Sequence, residues 1–231
     1  MTASVADPTA GREPVWLRHG HVDLALHHLR DAAGPHLLIL HGLGERTPAT
    51  VPDQLAGWPG AVWGLDFTGH GRSTLPVGGG YTAEVLVADV DQALAHLGPC
   101  TIVGRGLGGY VALLIAGARP ELVRGTAILD GPGLAGGGPS PHSSVTIRAL
   151  RSETTPDPYA LVELAFDVRP GDYATAIARM ALEFSDLDAP LTVSATVRPP
   201  WLAAIAAEPG VRVESVGAAL TRYAASSPPP A

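Results

Sequence analysis

Short apolar runs alternate along this chain with longer amphipathic stretches, and turn residues separate them. Residues 22–29 alternate polar and apolar side chains, as a strand with one buried face does, and residues 15–18 form a second early strand. Residues 36–40, 61–65, 101–103 and 126–129 are compact apolar runs, the pattern of strands buried on both faces. Residues 82–97 place Leu86, Val90, Ala93 and Leu97 on one helical face, and 109–119 read as a helix closed by Pro120. Helical segments follow at 158–168 and 172–184, then strands at 191–197 and 211–216 around a helix at 201–207. This alternation predicts an α/β fold: a mostly parallel, doubly wound sheet with helices on both faces.

Residues 1–14 and 224–231 read as flexible ends, the latter through its Ser-Ser-Pro-Pro-Pro run. Residues 15–130 form the first part of the core and 191–223 its last strands. Residues 131–190 form a small helical cap, introduced by a glycine- and proline-rich stretch at 131–141. A chain of 231 residues, 46% hydrophobic and 16% charged, suits one globular unit. The net charge of −7 is spread without long runs, which argues against nucleic acid and anionic membrane as partners. All 15 cationic residues are arginine and asparagine is absent, so lysine Schiff-base chemistry and N-glycosylation are excluded. Cys100 is the single cysteine, which rules out an intrachain disulfide and points to a reducing compartment. Residues 1–14 lack the apolar core of a leader and the longest apolar run, 110–118, is too short to span a bilayer. A cytoplasmic location follows as the expectation, with no cofactor and no metal.

The chemistry gathers at strand ends. His41-Gly42-Leu43-Gly44 follows the strand at 36–40, and Asp66-Phe67-Thr68-Gly69-His70-Gly71-Arg72-Ser73 follows that at 61–65. Gly104-Arg105-Gly106-Leu107-Gly108 follows the strand at 101–103 in the shape of G-x-S-x-G, the turn that lifts a serine hydroxyl into a cleft. Its middle position is glycine. These three motifs, in this order, resemble those of the α/β-hydrolase superfamily over roughly residues 15–222. The resemblance implies an oxyanion loop at 41–44, a nucleophile elbow at 104–108 and a Ser-His-acid triad. Its nucleophile falls at Gly106, its acid near Arg198 after the seventh strand, and its histidine near Leu220 after the eighth. Independently of register, no serine lies between Ser73 and Ser140, no Asp or Glu between Asp188 and Glu208, and no histidine after His142. Without a base to take its proton, a hydroxyl is a poor nucleophile, so ordinary serine-hydrolase chemistry is expected to be absent.

A site emptied in this way keeps its backbone. By the resemblance, the amides of Leu43 and Leu107 form an oxyanion hole, strengthened by the helix that starts near Gly108. The expected ligand site comprises His41, Gly42, Leu43, Arg105, Gly106, Leu107, Asp130 and His142, with Arg105 a candidate clamp for a carboxylate. His41, His70 and Asp66 also suit bracing roles in their turns, and Asp130 suits loop capping. The leading expectation is a pseudo-hydrolase that binds a small carbonyl or carboxylate ligand, or a protein partner, without turning it over. The alternative is a repurposed lyase, cyclase or isomerase that uses the retained hole, with His41, His70, Asp130 or His142 moving a proton. Decay into an assembly surface, with a homo-oligomer, is the third.

Overall fold

A computed structural model of the chain describes residues 12–140 and 153–226. Eight strands form one sheet: β1 (Val15–His19), β2 (Val22–Arg30), β3 (His36–Leu40), β4 (Val62–Leu65), β5 (Cys100–Arg105), β6 (Val123–Leu129), β7 (Leu191–Val193) and β8 (Arg212–Val213). Their order is β1-β2-β4-β3-β5-β6-β7-β8. β1 and β2 form an antiparallel hairpin, β2 runs antiparallel to β4, and every later pairing is parallel. The helices are α1 (Ala83–Leu97), α2 (Leu107–Ala118), α3 (Pro158–Phe166), α4 (Gly171–Phe184), α5 (Pro200–Ala206) and α6 (Val216–Ser226), with a 3-10 turn at Asp53–Leu55.

Strand alternation divides the core into two layers. Leu38, Leu40, Ile102 and Ile128 join the larger cluster, which includes side chains of α1, α2, α4 and α5. Leu37, Ile39, Val103, Ala127 and Leu129 join a smaller one, covered by the 3-10 turn and α6. The Thr82 hydroxyl caps α1 by accepting from the Val85 amide at 3.3 Å. Gly104 is required where α2 meets β5: a Cβ there would lie 2.2 Å from the Gly108 carbonyl oxygen. That contact sets the start of α2 over the end of β5, where the elbow forms.

The last third of the chain differs from its pattern. Of residues 191–197, only Leu191–Val193 pair as strand, because the Asp130 carboxylate takes the amides of Thr196 and Val197 at 2.8 and 2.9 Å. Residues 211–216 supply only the two-residue β8, and α6 runs through part of the stretch read as a flexible end. Its signal is a short stripe, Ala219, Leu220 and Tyr223, buried against the sheet and easily hidden beside the Pro-rich end. The helix α4, read as part of a cap, buries Ala174, Ala178 and Ala181 in the main helical layer and lays Ile177 against Gly117 of α2. Among the described residues no helix is long and apolar enough to cross a membrane.

Candidate functional site

The chain leaves β5 through Gly106, which lies at φ 58° and ψ −124° before α2 begins at Leu107. This left-handed conformation is one that an L-residue adopts only under strain, and glycine holds it freely. The sharp elbow implied by the motif is therefore present, with its glycine amide donating to the Leu129 carbonyl at 3.0 Å.

The two amides expected to form an oxyanion hole converge, and their target is internal. Leu43 N–H and Leu107 N–H donate at 3.0 and 2.9 Å to one acceptor, the carbonyl oxygen of Pro132. Pro132 follows β6 in the turn Gly131-Pro132-Gly133-Leu134, closed by the Leu134 amide on the Gly131 carbonyl at 3.4 Å. Gly133 sits at φ +75° behind the proline, as the third position of a type II turn requires. The same oxygen occupies the space of the missing side chain: a Cβ on Gly106 would lie 2.0 Å from it. The start of α2 adds its positive dipole end to this contact.

A buried guanidinium holds the turn from behind. Arg169 is 1% exposed. Its Nη1 donates to the carbonyls of Gly133 and Leu134, and Trp201 Nε1 donates to the latter at 2.8 Å. The guanidinium lies 4.6 Å from the Tyr110 ring centroid. Burial lowers its pKa to about 10, which leaves it cationic at neutral pH.

The side chains expected to carry chemistry are engaged. Phe67 N–H donates to His41 Nε2 at 3.1 Å, which leaves the His41 proton on Nδ1, 2.8 Å from the Gly42 carbonyl. Gly44 N–H donates likewise to His70 Nε2 at 3.2 Å, with His70 Nδ1 3.1 Å from the Thr68 carbonyl. Neither ring has a free lone pair. Burial, and then the nearby His70, lower the His41 pKa to about 4; burial lowers that of His70 as well. Burial works against the Asp66 charge, yet His27 at 2.9 Å and the amides of Thr47 and Arg72 at 2.7 and 2.8 Å hold its pKa at about 2. Slight desolvation opposes the Asp130 charge too, but the Thr196 and Val197 amides keep that carboxyl below its ordinary range.

Arg105 points away from the hole. It pairs at 3.3 Å with Glu45, whose other carboxylate oxygen accepts from the Gly42 amide at 2.9 Å. Arg198 donates to the Ala195 carbonyl at 3.3 Å in the loop after β7. Leu220 lies inside α6, buried against the sheet, so the loop after the last strand consists of Glu214 and Ser215 rather than the register position read from sequence. His142 lies outside the described residues. Cys100 opens β5, fully buried, with its thiol pKa pushed up to about 12 by desolvation. No group of His, Cys, Asp or Glu suited to a metal occurs among the described residues.

The structure thus gathers Leu43, Gly106 and Leu107 around one point and turns Gly42 and Arg105 to Glu45. Sequence reasoning missed Pro132 and Arg169. Gly131-Pro132-Gly133 announces a turn, but nothing local states that its carbonyl reaches an amide 89 residues earlier in the chain.

Known proteins agree with this fold. The family model described as serine aminopeptidase, S33, matches residues 32–170. An (E)-2-((N-methylformamido)methylene)succinate hydrolase of Acinetobacter baylyi is 30% identical over 112 residues, 46% of this chain and 41% of that protein. The sn-1-specific diacylglycerol lipase ABHD11 of Mus musculus is 32% identical over 135 residues, 55% of this chain and 42% of that protein. The matched region spans less than half the length of either relative. The thioesterase domain from the curacin biosynthetic pathway superposes over 93% of this chain and 95% of its own, with a TM-score of 0.66 at 16% identity. The fold is that of the α/β hydrolases.

Proposed function

Because the chain belongs to the serine aminopeptidase S33 family of α/β hydrolases, we propose that it is a member that binds a small carboxylate or carbonyl compound without hydrolysing it. The observation that carries this reading is the Pro132 carbonyl, which takes both oxyanion-hole amides and fills the space of a nucleophile side chain. Each such hydrogen bond is worth only about 0.5–1.5 kcal/mol net. A substrate carbonyl, however, must displace a group tethered in place, and it loses translational and rotational freedom of about 4–15 kcal/mol that the turn does not lose. The internal ligand wins that competition.

Redirected proton-transfer chemistry has little to work with among the described residues. His41 and His70 have both ring nitrogens committed, and Asp130 holds two backbone amides. The test is direct. Purified protein is incubated with p-nitrophenyl esters of several chain lengths and with a fluorophosphonate probe. No turnover above the buffer rate and no covalent adduct are expected; saturable turnover with an adduct on one serine would contradict the reading.

A further inference from the structure

The parallel crossover from β3 to β4 spans residues 41–61, and its helical part is the single 3-10 turn at Asp53–Leu55. Such crossovers ordinarily carry a helix that covers the sheet. Here a cavity of about 440 Å³ remains on that face, against the ends of β3, β5 and β6. Its floor is apolar, with Ile39, Val103 and Leu55. Its wall carries Arg46 and Arg105. The one carboxylate beside them, Glu45, already serves the Gly42 amide and Arg105, and Arg46 has no ion pair among the described residues. Thr47, 8% exposed, borders the same cavity.

We propose that this cavity is the ligand site of the protein and takes a small monocarboxylate with a compact apolar body. Two guanidinium groups against one committed carboxylate leave one positive charge uncompensated, which suits a monoanion. Guanidinium forks match a carboxylate in shape and donor count. The apolar floor buries a hydrocarbon body, and the volume lies in the range of small-molecule sites. The proposal rests on the reading that the chain binds without hydrolysing, and it moves the binding away from the plugged hole.

Hexanoate and phenylacetate are titrated calorimetrically into the full chain, with hexanamide, phenylacetamide and inorganic phosphate as comparators. Ester turnover is recorded on the same preparation, so that failure of the non-hydrolytic reading registers separately. The acids are expected to bind, the amides and phosphate at least tenfold more weakly. Arg46→Gln combined with Arg105→Gln is expected to weaken acid binding at least tenfold, and Ala49→Trp, which fills the cavity mouth, to abolish it. Amide NMR shifts then place the ligand: changes centred on Arg46 and Val103 support the cavity, whereas changes centred on Leu43 and Leu107 overturn it. No acid binding, equal binding of amide or phosphate, or indifference to both variants overturns it as well.

Discussion

At Gly106 two constraints meet: a left-handed backbone at φ 58° and a carbonyl oxygen 2.0 Å from where a Cβ would stand. Gly106→Ser therefore gains a hydroxyl and loses the turn that fills the elbow. Backbone strain alone costs about 1–3 kcal/mol, and displacement of Pro132 adds to it. Urea unfolding should show that loss, and p-nitrophenyl acetate should show no burst, since among the described residues the nearby histidines, His41 and His70, have both ring nitrogens engaged; a stoichiometric burst would contradict the argument. His41 makes a second prediction. Its native pKa of about 4 lies below the ordinary 6.5, so on acidification the unfolded chain takes this proton first. Stability from this group is whole above pH 6.5 and falls as the pH drops towards 4, by on the order of 3 kcal/mol. NMR should find the ring neutral at pH 6 with its proton on Nδ1; a titration near 6.5 would refute this. The identity of His41 was legible in its motif. Its neutrality was not, because it depends on the Phe67 amide and on burial by distant strands.

Among the elements, the strands and helices up to β6 follow the hydrophobic period closely, because each buries a full face against the sheet. Those after β6 are shorter and take their limits from polar contacts. Asp130 ends β7 by capturing Thr196 and Val197, and Ser215 opens α6 by accepting from the Ala218 amide at 3.3 Å. Such contacts leave little periodic trace. The Gly131–Leu134 turn is the element on which the site depends, and its type II form requires Gly133 at φ +75°. Gly133→Ala strains that conformation and brings a Cβ within 2.6 Å of the Leu43 Cβ. Thermal melting should show the variant less stable by about 1–3 kcal/mol, with faster hydrogen exchange at the Leu43 and Leu107 amides. Unchanged exchange at both would show that the turn does not depend on this glycine.

For the whole molecule, the three strand-end motifs carried the fold, an eight-stranded, mostly parallel sheet of the α/β-hydrolase kind. They did not reveal that the emptied hole is filled. Pro132 comes from a turn after β6, Leu43 from the loop after β3 and Leu107 from the start of α2, so the contact exists only once the parallel sheet has set those three ends side by side. Arg169, in the connection between α3 and α4, then fixes the turn from the far side. The two amides expected of an oxyanion hole are thus satisfied from within the chain. Scalar coupling across hydrogen bonds, measured by NMR on ligand-free protein, tests this most directly. Two cross-peaks are predicted, from the Leu43 and Leu107 amide nitrogens to the Pro132 carbonyl carbon; absence of both, with rapid exchange of those amides with water, would contradict the account.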